Sequence, residues 1–268
     1  MAHLKRWLTA LIAIPILIYL IGFGPRWLFY LLLFVASCIC LHEFFRLTAS
    51  KLPRIPRSLA FVFCFLFPAI FSQGLVHLAF AALCFAVMLL LCFYLFSGPD
   101  CRKEVIEGAG TVALGFPYAV LPLSLLVLMD RTPRGNLWIF FLLTIIFLGD
   151  TAALYCGRLL GKHKFYLAVS PGKTWEGAVG GFVASVLGGV IFARIFELHD
   201  DLRVVALVSA VIACAGQIGD LAESMIKRNY GVKDSGRILP GHGGLLDRVD
   251  SLLFAIPVCY AFLAWFIR

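Results

Sequence analysis

The sequence predicts an all-α integral membrane protein, a polytopic bundle of about nine transmembrane helices with its N-terminus in the cytoplasm. Three observations carry this. Of 268 residues, 62% are hydrophobic and only 14% charged, against roughly 45–50% and about 25% in soluble domains. The apolar residues fall into nine runs long enough to consider as spans. The basic residues gather in the short connections between them, as membrane orientation requires.

The runs lie at 7–22, 25–42, 58–73, 76–96, 108–129, 137–157, 176–196, 204–226 and 245–267. The first follows MAHLKRW and lacks a small-residue cleavage site, so it reads as an uncleaved span rather than a signal peptide. With the N-terminus inside, the inner segments carry 16 Lys and Arg and the outer segments five, namely Arg26, Arg131, Arg134, Arg203 and Arg268. That asymmetry supports nine spans and an outer C-terminus. The chain reads as a single membrane domain, 1–268. Its first part, 1–135, is nearly featureless hydrocarbon, and its unusual polar residues all fall within 136–268.

The formal charge of +8 does not indicate nucleic acid, because the cations sit in orientation loops and the aromatics suit interfacial belts and bundle packing. Nine cysteines are an odd number without CxxC spacing, and most lie inside apolar runs. They read as small buried hydrophobes, with no thiolate metal site expected. KLPRIPRS, residues 51–58, is a basic, proline-bearing loop that serves as an orientation signal. His42-Glu43 lacks the HExxH pattern and reads as an interfacial structural pair. His163 reads as a loop residue, and Glu197, Asp200 and Asp201 as a solvated outer loop.

The chemistry begins where carboxylates enter the spans, since such groups are expensive in hydrocarbon and mark functional sites by default. Asp150 lies late in the sixth run, Asp220 and Glu223 late in the eighth, and Asp247 and Asp250 early in the ninth. In the predicted topology all five come to the inner ends of their helices. Asp220 is roughly 10 Å from Lys227 along the axis, so it is only shallowly inside. Residues three apart share a helix face, which makes Asp220 with Glu223, and Asp247 with Asp250, two carboxylate pairs. Two readings fit such pairs: a hard divalent cation such as Mg²⁺ held among oxygens, or ion pairs with Lys227, Arg228 and Arg248.

Two basic, glycine-rich loops face the same side. KRNYGVKDSGRILPGHGGLL, 227–246, leads into the start of the ninth run. The segment 157–181 ends in Lys173-Thr174, where Thr174 can cap the seventh helix and Lys173 stands at its positive end. It is not a P-loop, because Leu167 stands where that pattern needs glycine.

At this point the residues resemble a known family. Ser224-Met-Ile-Lys227-Arg228, Lys233-Asp234, Pro240-Gly-His242-Gly243-Gly244 and Asp247-Arg248-Val-Asp250 look like the signature of the phosphatidate cytidylyltransferases, or CDP-diacylglycerol synthases. DTAALYCGRLLGKHK, 150–164, and SPGKTWEG, 170–177, resemble that family's other shared segments. The resemblance implies that CTP and phosphatidate become CDP-diacylglycerol and pyrophosphate, with Mg²⁺ and room for a second cation, at the cytoplasmic face of the inner membrane. The partners implied are CTP, phosphatidate and membrane lipids, with a homodimer an allowed state. It also implies roles. Asp220 and Asp247 would be the principal metal ligands, supported by Glu223, Asp250 and Asp150. Lys173, Thr174, Lys227, Lys233 and Arg248 would contact phosphates. Ser170, Asp234, His242, Gly243 and Gly244 would complete the nucleotide site. Two alternatives remain from the residues: a CTP-using lipid kinase that transfers the γ-phosphoryl group, and an anion transporter. Transporters usually place their ionisable groups near the midplane and often show repeated halves.

Overall fold

The computed structural model describes residues 14–49, 53–96, 105–236, 238 and 243–266. Among them are nine helices: α1 (14–22), α2 (Arg26–Thr48), α3 (Arg54–Ser72), α4 (Val76–Phe96), α5 (Val105–Asp130), α6 (Gly135–Leu159), α7 (Trp175–Ile195), α8 (Leu202–Asn229) and α9 (Leu246–Phe266). From α2 to α9 each is long and apolar enough to cross a membrane, and the protein is an integral membrane protein. The first expected span is described only from residue 14. A short antiparallel hairpin, β1 (Lys164–Tyr166) and β2 (Ser170–Thr174), interrupts a segment expected to be plain loop.

The chain forms two compact units. One comprises Met1–Leu20, Gly24–Leu128 and Asp234–Leu246; the other Ile21–Phe23, Met129–Lys233 and Asp247–Arg268. The first is built on aromatic packing. Phe67 meets Phe116 with ring centroids 4.5 Å apart, and Phe63 meets Phe116 at 5.7 Å. Gly115 makes room for this packing, since a Cβ there would lie 2.8 Å from the Phe44 ring. Immediately after it, α5 widens into a π-turn over Phe116–Val120. Pro117 has no N–H to continue the regular ladder, which accounts for the local change of pitch.

Glu43 on α2 is an interior group of this unit rather than the interfacial one expected. It is 1% exposed. Its carboxylate accepts a hydrogen bond from the Leu246 amide at 2.8 Å, and residues of 235–246 cover it. His42, on the other face of α2, is exposed.

The second unit rests on close contact between α6 and α7. Gly157 meets Gly177, Ala153 meets Gly181 and Gly149 meets Ser185, an antiparallel register advancing four residues at a time on each helix. Small residues at this spacing let helix backbones approach where lipid offers no hydrophobic drive for association. Ser185 Oγ uses the proximity to donate to the Ile145 carbonyl at 2.8 Å. A Cβ on Gly181 would stand 2.8 Å from the Gly149 carbonyl oxygen, and one on Gly219 of α8 would stand 2.6 Å from the Asp250 carbonyl of α9. The carboxylate-bearing ends of α6, α8 and α9 are therefore drawn in by glycines.

Helix starts in this unit are capped by side chains. Thr174 is the N-cap of α7, accepting from the Gly177 amide at 3.2 Å, as its position predicts. Asp201, expected only to be solvated, caps α8 by accepting from the Arg203 amide at 2.8 Å. Arg134, itself in the left-handed region at φ 58, donates to the Phe196 and Glu197 carbonyls beyond α7.

Replacing Gly181 by Val is expected to destabilise the detergent-solubilised protein by about 1–3 kcal/mol through overpacking. Gly110→Ala serves as the control, since nothing lies within 4 Å of the Cβ it would add, and its thermal midpoint is expected to stay level or rise. Equal midpoints for Gly181→Val and the parent would contradict the close-packing account.

Candidate active site

In the second unit, α6, the β1–β2 hairpin, the start of α7 and the late part of α8 surround an open cavity of about 430 Å³, within the range of small-ligand sites. Asp150 and Arg158 line it from α6, Ser170, Lys173 and Thr174 from β2, and Gln217 and Asp220 from α8. The hairpin is anchored at its base. The Trp175 amide donates to the His163 carbonyl at 3.0 Å, and Phe165 packs edge-on to Trp175 at 4.4 Å. His163, a loop residue as expected, holds Glu176 through Nδ1 at 2.7 Å. Gln217 fixes the opposite wall by donating to the Ala178 carbonyl at 2.9 Å.

The expected acids form two adjoining groups. In the first, Lys173 Nζ lies 2.7 Å from Asp220 Oδ2, with both side chains about one-third exposed. Asp150 lies within electrostatic range of Asp220, Asp250 and Lys173. In the second, Lys227 Nζ sits 2.6 Å from both Glu223 Oε2 and Asp247 Oδ1. This group is buried: the side chains of Glu223, Asp247 and Lys227 are 1%, 8% and 12% exposed. Glu223 also interacts electrostatically with Asp250, which links the two groups. The ion-pair reading therefore holds for Lys227, and the structure adds Lys173, which the sequence had assigned only to phosphate. Asp220 and Asp247, expected around one cation, each hold a different lysine.

Ser170 and Thr174 line the cavity. Lys233 and Asp234 are exposed, and among the described residues neither holds an ion pair. Arg248 is exposed, Gly243 takes a left-handed φ of 83, and Gly244 is buried. His242 lies outside the described residues. Arg228 reaches back to the Val169 carbonyl at 3.3 Å, tying α8 to the hairpin turn. Gln217 and Arg158 were not singled out from the sequence. Gln217 could have been found as the polar residue one turn before Asp220, on the same helix face.

The donors suit a hard cation chemically. Five carboxylates, two lysines and Arg158 meet in this region. Glu223 Oε1 is buried and has no hydrogen-bond partner. Carboxylate oxygens are the ligands that Mg²⁺ selects. With the side chains in their present positions, no three described His, Cys, Asp or Glu converge on one point at ligating distance, and the Lys173 ammonium occupies the place beside Asp220.

The cytidylyltransferase family profile matches residues 4–266. The chain belongs to the cytidylyltransferase family. A phosphatidate cytidylyltransferase of Bacillus subtilis (strain 168) is 33% identical over 269 residues, covering 98% of each chain. Another, from Staphylococcus epidermidis, is 35% identical over 263 residues, 94% of this chain and 96% of its own. A third, from Brucella suis biovar 1, is 45% identical over 161 residues, covering 60% of this chain and 59% of that one.

Removing the shared ammonium with Lys227→Met would leave two buried carboxylates facing each other. Breaking a buried ion pair costs about 3–5 kcal/mol, whereas a part-exposed pair is worth about 1 kcal/mol or less. Lys227→Met is thus expected to lower the thermal midpoint well below that of Lys173→Met. Indistinguishable midpoints would contradict the burial difference.

Proposed function

We propose that the protein is a CTP:phosphatidate cytidylyltransferase, forming CDP-diacylglycerol and pyrophosphate at the cytoplasmic face of the bacterial inner membrane. The observation that carries this reading is the cavity in which Lys173, Ser170 and Thr174 face Asp150 and Asp220, in a chain of the cytidylyltransferase family. The 16-to-5 bias of basic residues supports the cytoplasmic orientation.

In this reading the CTP phosphates enter the cavity, where Lys173 and Arg158 supply positive charge and the capped start of α7 adds its dipole. A phosphate oxygen of phosphatidate attacks the α-phosphorus of CTP. The new P–O bond forms as the bond between the α-phosphorus and the bridging oxygen breaks, and pyrophosphate departs with that electron pair. The attacking phosphate is already ionised near neutral pH, so no strong general base is required. The protein holds two anions together and stabilises charge on the leaving group. Mg²⁺, when bound, would supply charge neutralisation at the phosphates. Asp220, Asp150 and Asp250 would hold it, and Asp247 would stay paired with Lys227. Lys173, part-exposed beside Asp220, would turn its ammonium to a CTP phosphate. Lys227 would keep Glu223 and Asp247 in position.

The test is turnover of labelled CTP and phosphatidate by purified protein with and without Mg²⁺. The expected products are CDP-lipid and pyrophosphate, with loss of activity on chelation; lipid phosphate with CDP would instead indicate a γ-phosphoryl transfer. Asp220→Asn is expected to reduce the Mg²⁺-dependent rate by about a hundredfold or more, and Lys173→Ala to raise the KM for CTP by about tenfold. Near-normal turnover by Asp220→Asn would overturn the assignment.

A further inference from the structure

The 235–246 loop begins and ends against one side chain from a distant part of the sequence. Glu43 Oε2 accepts from the Leu246 amide at 2.8 Å and from Ser235 Oγ at 3.4 Å. Ser235 is 1% exposed and Leu246 fully buried. Gly236 and Gly244 complete the enclosure. An added Cβ on Gly236 would collide with the Glu43 carboxylate, and one on Gly244 would lie 2.6 and 2.7 Å from its two oxygens. Each glycine is thus needed because the carboxylate fills the space a side chain would take.

We propose that Glu43 is a positioning residue for the cytidylyl-transfer reaction, clasping both feet of the 235–246 loop and capping the first amide of α9. This rests on the reading given under Proposed function. The physical basis is direct. Leu246 opens α9, so its N–H has no intrahelical acceptor, and an anion at that end is favoured by the helix dipole. The next residue in the chain is Asp247, which Lys227 holds at 2.6 Å. Holding Ser235 and Leu246 to one buried group also fixes the two ends of the segment between them. Glu43 itself touches no reacting atom; it acts through the loop and the start of α9.

The clasp needs an acceptor at the Oε2 position, and this sets the test. Glu43→Ala removes it, while Glu43→Gln can present its amide carbonyl there. Each variant is assayed for kcat and for KM of CTP, and limited trypsin digestion in detergent follows cleavage within 235–246, where the sequence offers Arg237. Glu43→Ala is expected to lose at least about tenfold in kcat and to be cut in the loop about tenfold faster, with Glu43→Gln within about threefold of the parent in both. Parent-like rates and digestion for Glu43→Ala would overturn the proposal. So would equal impairment of Glu43→Gln and Glu43→Ala, which would mean that charge rather than loop clasping matters. If Glu43→Ala does not fold, Gly236→Ala presses on the carboxylate from the loop side. It is then expected to open the loop to trypsin, and parent-like digestion would overturn the clasp. Should the parent make no CDP-lipid at all, the function reading fails, while the digestion still decides whether Glu43 holds the loop.

Discussion

The constraint on which the rest depends is charge placed inside helices that otherwise present hydrocarbon. Two lysines answer five carboxylates at the ends of α6, α8 and α9. Buried ion pairs of this kind add little net stability, because desolvation offsets much of the attraction, yet breaking one is costly. Their presence is better explained by what the carboxylates can bind than by what they stabilise. Carboxylate oxygens gathered at one end of three helices offer ligands to a hard cation. The part-exposed lysine, Lys173, can change partners with little loss.

Glycine is what allows those acids to meet. Gly149, Gly157, Gly177 and Gly181 bring α6 and α7 to backbone contact, and Gly219 does the same for α8 and α9. The close approach sets the cavity wall and carries Asp220 toward Asp250. The hairpin then brings Lys173 across to Asp220, and the Thr174 cap joins that strand directly to α7. Packing, capping and electrostatics are consequently one arrangement: altering a glycine in the α6–α7 seam shifts the polar walls as well as the helices.

Much of this was legible in the sequence, and the exceptions have physical causes. The helix positions followed from apolar runs, because a span must be both long and hydrophobic. The five acids were visible because charge in such runs is rare. The ends were less visible: α2 continues to Thr48 rather than stopping near residue 42, because helical hydrogen bonding does not end where hydrophobicity does. The hairpin was missed, since three strand residues against five leave too short a period-two pattern to stand out. The sharing of Lys227 between Glu223 and Asp247 could not be read from spacing, since it depends on how α8 meets α9. Glu43 was misplaced at an interface because the residues that bury it lie some two hundred positions away in the chain.

Cation binding tests the central claim most directly, independently of turnover. Mn²⁺ can replace Mg²⁺ among carboxylate oxygens and can be followed by electron paramagnetic resonance on purified protein with CTP present. The account predicts saturable binding by the parent and its loss in Asp220→Asn/Asp250→Asn. Equal binding by that double variant, with the fold intact, would contradict it.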